Sequence, residues 1–533
     1  MPTQSSLPMI QATRLSYTFD NGHTLLSEIN GSLTDKRTGL VGRNGVGKSV
    51  LASLLGGELT PTGGSVQCSV TLRTYSQQPS HLLNSELSVA EFLGVWPVLD
   101  ALQQIENGHC DPELFERVGE RWTLRDELAK LMLSLGLPDN VHLSCRALSG
   151  GQLSRLQLWQ LFQSTAELLI LDEPSNHLDE TARQWLVAQM REFSGSILLV
   201  SHDRILLREM AQIWELGSLG LTQYGGNYDH YVAQKHAEQT ALTRQCQRLD
   251  KEHKQLARQI QRNQEKAEQR SAQGRQLRRQ GGVPKIVLNQ RRSDASASAS
   301  GRIRAGQQRQ SELHRKREAV QDKLDPAVKP KIYLPVTQGS AATLVTLRDL
   351  ILPFGTGTPL NLRLTARHRL LLSGDNGSGK STLLKIISGE CFPRSGERHI
   401  NTSVCYLDQH FSFLTNELTM LECLMSLCRG LAESQARTLL AGIGFRRDAV
   451  FRQVSVLSGG EKMKLAMLVV SHQPGFPLLL LDEPDNHLDL PSRQELAQAL
   501  AEYQGAFVVV THDQEFAQQA GVKQQLTLIR TRD

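Results

Sequence analysis

One block of sequence occurs twice in this chain, about 310 residues apart, and each copy carries the same three short motifs in one order. Gly42-Arg43-Asn44-Gly45-Val46-Gly47-Lys48-Ser49 and Gly374-Asp375-Asn376-Gly377-Ser378-Gly379-Lys380-Ser381 come first. Leu148-Ser149-Gly150-Gly151-Gln152 and Leu457-Ser458-Gly459-Gly460-Glu461 follow, and Asp172-Glu173-Pro174 and Asp482-Glu483-Pro484 close the sets. The offset is 332 from Lys48 to Lys380, 331 from Gln78 to Gln409, 309 from Gly150 to Gly459, and 310 for both Glu173/Glu483 and His202/His512. About 22 extra residues therefore lie in the first copy between Gln78 and Gly150, expected near 94–120 as a surface elaboration. Isolated motif coincidences do not keep register over such a span, so the chain is an internal duplication.

Each first motif lies between an apolar strand (Leu40-Val41, Leu370-Leu371-Leu372) and a helix beginning at Val50–Leu55 or Thr382–Ile387. A Gly-rich turn at that junction directs backbone N–H groups at phosphate oxygens. Gly42, Asn44, Gly45 and Gly47, and Gly374, Asn376, Gly377 and Gly379, form these loops, with Val50 and Thr382 next in line. Lys48 and Lys380 add positive charge, and Ser49 and Ser381 present hydroxyls to Mg²⁺. The apolar runs ending at Leu171 and Leu481 predict buried strands that carry Asp172 and Asp482 to the same ion. Glu173 and Glu483, one residue on, are placed to orient or deprotonate an attacking water. His202 and His512 follow further strands and face the γ-phosphate, while Gln78 and Gln409 sense it through Mg²⁺ and water. Phe19 and Phe354 are the aromatics expected on adenine. The implied cofactors are ATP and Mg²⁺.

With these motifs in place, both halves resemble ATP-binding-cassette nucleotide domains. The resemblance implies an α/β fold with two tandem domains facing head to tail and two composite sites. One site joins Lys48 and Glu173 to Ser458-Gly459-Gly460; the other joins Lys380 and Glu483 to Ser149-Gly150-Gly151. A Ser followed by two Gly at a helix start offers N–H donors to a γ-phosphate, which is the physical basis for that pairing. One chain then forms a complete clamp, a monomer with its two nucleotide domains paired.

What separates the copies is different in kind. Residues 232–331 hold 24 Lys and Arg against 10 Asp and Glu, a net of +14 in a chain whose total is +5, so the remainder carries −9. Leu242, Cys246, Leu249, His253, Leu256 and Ile260 fall at alternating 4/3 spacing and predict one helix from about Asp229 to Gln280. Leu313, Val320 and Leu324 mark a shorter return helix, giving an antiparallel hairpin with its tip at 281–301. The expected domains are 1–231, the basic linker 232–332, and 333–533. Basic, Gln-rich helices are often only solvated surface. Here the charge excess is confined to the insert, and apolar residues sit at its tip, a pattern suited to a polyanion.

Asn176-His177-Leu178-Asp179 and Asn486-His487-Leu488-Asp489 after the glutamates, with Tyr224-Gly225-Gly226-Asn227-Tyr228, resemble the F subfamily (ABC-F) over nearly the whole chain. That resemblance implies a cytoplasmic factor on the ribosome, contacting large-subunit rRNA and P-site tRNA. Its linker enters through the E site, its tip reaching toward the peptidyl-transferase centre. Lys285, Arg291 and Arg292 are the RNA contacts it implies, and translation control, rescue of stalled ribosomes or antibiotic protection the outcome. Departures are Val50 for a second hydroxyl residue, Leu153 for a basic one, and Ser175 and Asp485 for Thr; Asp485 adds charge beside Glu483 and is expected to make the sites unequal. The surplus is short for a stalk-contacting arm, and no Cys-rich N-terminal cluster exists. The eight cysteines are scattered without CxxC pairs, expected as reduced residues. Neither a signal peptide nor a membrane span is expected. Two other functions stay open on residues alone: the energising subunit of a membrane importer, and a DNA-acting repair ATPase.

Overall fold

A computed structural model of the chain describes residues 8–34, 36–76, 87–176, 178–217, 220–280, 305, 308–320, 343–409, 411–428, 430–472, 478–486 and 488–529. The chain divides into two compact units, Met1–Asp229 with Lys329–Asp533, and His230–Val328. Gln78, His177, His487 and the linker-tip residues Lys285, Arg291 and Arg292 lie outside the described residues.

The strands of the first copy are β1 (Ile10–Thr18), β2 (Thr24–Leu33), β3 (Arg37–Gly42), β4 (Gly63–Cys68), β5 (Leu72–Tyr75), β6 (Leu168–Asp172), β7 (Ser196–Val200), β8 (Gln212–Gly217) and β9 (Gly220–Gly225). Those of the second are β10 (Thr343–Ile351), β11 (Leu360–Thr365), β12 (Arg369–Gly374), β13 (Ser395–Ile400), β14 (Val404–Leu407), β15 (Leu478–Asp482), β16 (Phe507–Val510) and β17 (Gln524–Leu528). Each copy has a small antiparallel sheet, β2-β1-β4 or β11-β10-β13, beside a larger one ordered β5-β6-β7-β3-β8-β9 or β14-β15-β16-β12-β17. All pairings in the larger sheets are parallel except β8 with β9. The continuous apolar runs of β6, β7, β15 and β16 are buried throughout, as strands covered on both faces must be.

The helices that follow the Gly-rich loops, Lys48–Leu55 and Lys380–Ser388, bury Leu51, Leu54 and Leu55, and Leu383, Leu384, Ile386 and Ile387, between the two sheets of their copies. A helical region packs beside each larger sheet. In the first copy its surplus is a helix pair, Trp96–Glu106 and Pro112–Val118. Leu99, Leu102, Leu114 and Val118 of that pair form a small core with Leu124 and Leu128.

The linker helix spans Tyr228–Gln280, 53 residues, or about 80 Å at 1.5 Å per residue. The stripe Leu242, Cys246, Leu249, His253, Leu256 and Ile260 is its less exposed face. A second helical stretch at 308–320 runs alongside with opposite direction: Arg317 Nε meets Asp250 Oδ1 at 2.8 Å and Gln310 Nε2 meets His253 Nε2 at 3.4 Å. Among the described residues no helix is long and apolar enough to cross a membrane.

One interaction recurs in both copies and ties sheet to helix. Arg37, opening β3, donates to the carbonyls of Met190, Phe193 and Gly195 at 2.9, 2.6 and 2.6 Å, closing the C-terminus of helix Glu180–Glu192. Arg369, opening β12, donates to Ala501 and Tyr503 at 2.9 and 2.8 Å, closing helix Leu490–Glu502. A cation there satisfies last-turn carbonyls and opposes the negative end of the helix dipole. Arg37→Ala leaves those carbonyls half-buried without donors. It is expected to cost about 2 kcal/mol, read as a lower urea midpoint at unchanged slope.

Candidate functional site

Parallel register brings the chemistry of each copy to one sheet edge. Leu40 and Asp172 both sit opposite Val200, so Gly42, Asp172, Glu173 and His202 leave the carboxyl ends of β3, β6 and β7 together. Leu372 and Asp482 both sit opposite Val510, which does the same for Gly374, Asp482, Glu483 and His512. This is the edge at which open α/β sheets bind ligands.

The loops there are built for an anion. Gly45 and Gly47 adopt φ of 78° and 102°, and Gly377 and Gly379 take 79° and 99°, conformations that side chains disfavour. Gly47 and Gly379 cap their helices without a side-chain acceptor, so the first-turn N–H groups remain available to phosphate oxygens. Lys48 Nζ spans the loop to Gly42 O and Arg43 O at 3.0 and 3.1 Å; Lys380 Nζ does so to Gly374 O and Asp375 O at 2.7 and 3.0 Å. Burial pulls both ammonium groups below their usual pKa, opposed for Lys48 by Glu173, Asp489 and Asp172. A buried ammonium among carboxylates is poised for further negative charge.

The carboxylates fit a divalent cation. The Ser49 hydroxyl bonds Asp172 and that of Ser381 bonds Asp482, while Asp172 Oδ1 is buried without a hydrogen-bond partner. A hard hydroxyl and a carboxylate beside a phosphate loop suit Mg²⁺. Glu173 and Glu483 hold φ of 48° and 49°, a region that non-glycine residues rarely occupy and that gathers at functional positions. Their amides donate to Val200 O and Val510 O at 2.8 and 2.9 Å. Burial raises both carboxyls, Glu173 to about 7. His202 Nε2 lies 3.8 Å from Glu173 Oε1, and His512 Nε2 lies 3.7 Å from Glu483 Oε1. Burial pushes both imidazoles down, His512 to about 4, so each is neutral near pH 7 and keeps one N–H to donate.

The copies meet at these groups. Asn44 N donates to Asp489 Oδ2 at 3.0 Å, and Arg493 Nη1 donates to His202 O at 3.1 Å. In the other direction Arg183 Nη1 donates to His512 O at 3.3 Å, and Asp179 acts electrostatically on Lys380. Gly460, in the helix opened by Ser458-Gly459-Gly460, lies beside Leu488 and Ser492, which flank Asp489. Arg155, in the helix opened by Ser149-Gly150-Gly151, holds Asp179 at 2.8 Å. Ser149 and Ser458 each close a capping box, with Gln152 and with Glu461. Their hydroxyls are therefore already acceptors for backbone N–H groups.

Not every residue marked in the sequence comes to this edge equally. Phe354 is beside the second loop, where Gly355 packs on Ser378 and Gly379, and is 76% exposed, an open ring face. Phe19 sits in the β1–β2 turn, edge-on to Tyr17 at 5.4 Å and stacked near His23 at 6.5 Å. Gln409 follows the end of β14, next to the strand bearing Asp482. Val50, without a hydroxyl, packs on the inter-sheet core. Leu153 is buried with Met132, Leu135 and Leu156 in the helical region, and so serves packing there.

Arg183, Arg493 and Tyr406 were absent from the sequence expectations. The arginines are 310 residues apart, the spacing of the glutamates and histidines, so register alone could have singled them out. Tyr406 donates to Asp482 Oδ2 at 3.2 Å; Thr74 stands at its position in the first copy and turns to Glu58 instead. Asp485, where the first copy has Ser175, is buried, with Oδ1 unpartnered, facing Arg493 and Asp513.

Comparison with known proteins bears on the family and the fold. A family model described as ABC transporter matches residues 27–176 and 358–486, and a second model of the same description matches 214–286. A probable ATP-binding protein, YheS, of Haemophilus influenzae is 30% identical over 515 residues, 92% of this chain and 74% of that protein. The tylosin resistance ATP-binding protein TlrC of Streptomyces fradiae is 31% identical over 527 residues, 92% of each chain. Among solved structures, an archaeal ribosome recycling factor in complex with a ribosomal stalk protein superposes with a TM-score of 0.57 at 19% identity. It covers 96% of this chain and 87% of that one, a likeness of fold.

The Asp485 carboxyl gives a stability prediction. Burial raises its pKa above the unfolded value. Its ionisation therefore costs stability once the pH passes the unfolded pKa, and the cost vanishes below it. Asp485→Ser is expected to raise the melting temperature at pH 8, by about 2–4 °C per kcal/mol recovered, with the gain shrinking as the pH falls toward 4.

Proposed function

We propose that this chain, which belongs to the ABC-F family of ATP-binding-cassette proteins and is a P-loop ATPase, uses ATP to bind and leave the ribosome. The observation that carries this reading is the division of charge. Two ATP sites lie in a body of net −9, and the +14 is confined to the helical insert. An 80 Å-scale basic arm attracts a phosphate backbone, a sequence-independent attraction. With the apolar tip, the arm fits RNA presented in a cleft better than a flat polyanion.

In the closed form the Lys48 loop and the Ser458-Gly459-Gly460 helix enclose one ATP, and the Lys380 loop and Ser149-Gly150-Gly151 the other. Lys48 and Lys380 bear on the β- and γ-phosphates. Ser49 with Asp172, and Ser381 with Asp482, would hold Mg²⁺, with Gln78 and Gln409 completing its surroundings, and the ion would offset charge developing on those phosphates. Glu173 and Glu483 align and deprotonate the water, and neutral His202 and His512 donate toward the γ-phosphate. Phe19 and Phe354 stack on adenine. Losing the γ-phosphate removes the group that both copies share, so the clamp opens and the protein leaves.

On the ribosome we place the linker in the E site, its tip residues Lys285, Arg291 and Arg292 against large-subunit rRNA and the acceptor end of P-site tRNA. The protein then acts in the cytoplasm on translation, by rescuing stalled ribosomes or by protecting them from an antibiotic. The relative named for tylosin resistance supports the second outcome.

Glu173→Gln with Glu483→Gln is expected to slow ATP hydrolysis by about 10²-fold or more and to trap the protein on ribosomes in ATP. Co-sedimentation measures this; a variant left in the supernatant with ATP removes the reading, and stimulation by DNA rather than ribosomes replaces it. Neutralising Lys285, Arg291 and Arg292 together is expected to weaken ribosome binding. Its log–log salt dependence should become shallower by about 0.7–0.9 for each phosphate that is no longer neutralised.

A further inference from the structure

Two arginines close a ring between the copies. Arg183, on helix Glu180–Glu192, donates to the backbone oxygen of His512 at 3.3 Å and lies 3.5 Å from Asp203 Oδ2. Arg493, on helix Leu490–Glu502, donates to the backbone oxygen of His202 at 3.1 Å and lies 3.4 Å from Asp513 Oδ2. Asp203 and Asp513 directly follow His202 and His512. The circuit therefore runs from one histidine loop through one arginine to the other loop and back. Both guanidinium groups are only 14% and 12% exposed, so water does little to screen or replace these contacts.

The histidine loops depend on that brace. Ser201 and Thr511 hold the amides of Asp203 and Asp513 at 3.0 Å each. The aspartates in turn cap the following helices through Ile205 N and Phe516 N, both at 2.9 Å. These bonds lie within one copy. The backbone carbonyl of each histidine, and with it the peptide that carries the imidazole, takes the bond that comes from the other copy. A cavity of about 590 Å³ lined by Glu173, Asp203, Arg183, Arg493, His512 and Asp513 surrounds the ring.

We propose that Arg183 and Arg493 are positioning residues that act in trans, Arg493 aiming His202 and Arg183 aiming His512. A histidine is then held in its working direction only while the copies are together, which confines hydrolysis to the closed clamp. The inference rests on the assignment of His202 and His512 to the γ-phosphate and of Glu173 and Glu483 to the water.

The test uses the full chain with one site silenced, in single-turnover ATP hydrolysis. With Glu483→Gln only the Lys48–Glu173 site hydrolyses. Adding Arg493→Gln is expected to lower its rate about tenfold or more, with the half-saturating ATP concentration changed less than about threefold, whereas adding Arg183→Gln has a much smaller effect. With Glu173→Gln the order reverses. Arg493→Lys in the Glu483→Gln chain, and Arg183→Lys in the Glu173→Gln chain, restore part of the rate. Equal losses in both backgrounds, or no loss in either, overturn the inference, because a mere tie between the copies acts on both sites alike. Hydrolysis persisting in the double Glu→Gln chain sinks the glutamate assignment instead, so the two failures remain distinguishable.

Discussion

Each copy leaves an anion only half enclosed, and that deficit organises the molecule. A helix that starts at an uncapped glycine, with a buried lysine across its loop, offers donors on one side of a phosphate. The sheet edge supplies carboxylates and a neutral histidine from below. The Asp489–Asn44 bond and the Arg493–His202 bond carry the second copy to the first site, and Asp179 and Arg183 do the same for the other. Helix starts favour anions, so an anion placed between the two copies would be held by donors from both. Duplication within one chain removes the cost of bringing two molecules together.

Much of this was legible in the residues, for reasons that differ by element. The Gly-rich loops, the Asp-Glu pairs and the strands before them are fixed by local rules: glycine for positive φ, lysine for charge, continuous apolar runs for buried parallel strands. The linker helix was legible through its 4/3 stripe, which faces the second helical stretch. Other features depend on which residues meet in space. Arg37 and Arg369 hold helix ends roughly 130 to 160 residues away, and no local pattern reveals such a partner. Leu153 departs from a basic pattern as a substitution in sequence, yet its place in the helical core explains it. Arg183 and Arg493 lie between these extremes, invisible as motifs but matched in register.

The copies are alike in backbone and unlike in charge. Ser175 is replaced by Asp485, Gln152 by Glu461, and Thr74 by Tyr406, each near the sheet edge that carries Asp482 and Glu483 and its counterpart, or in a Ser-Gly-Gly helix start. Arg452 balances Glu461 at 2.9 Å, so that carboxylate adds little net field. Asp485 is bonded by the Thr511 hydroxyl while its Oδ1 is left without a partner, and the nearby Arg493 is shared with Asp513 and with the carbonyl of His202. Burial of a carboxyl in such a place raises its own pKa and also that of Glu483. The second site therefore has a buried carboxyl beside Glu483 where the first copy has the Ser175 hydroxyl. Two halves built from one ancestral pattern meet the same ATP with different electrostatics.

The beginning of the linker helix is tied to the same pairing of copies. Arg204 Nη1, with its side chain 5% exposed, meets Glu515 Oε1 of the other copy at 2.7 Å. Arg208 reaches both Glu515 at 3.4 Å and Asp229, the second residue of the long helix, at 3.1 Å. The two halves of this cluster differ in strength. The Arg208 contacts lie among half-exposed side chains, where ion pairs contribute only about 0–1 kcal/mol. The Arg204 contact is desolvated on one side, and breaking it strands a buried charge, which is the costly case. Glu515 belongs to both, so the contact between copies is the strong term and the hold on Asp229 the weak one. Separating the copies breaks the Arg204–Glu515 contact, at the cost of a stranded buried charge, while Arg208 keeps Asp229 and loses only Glu515.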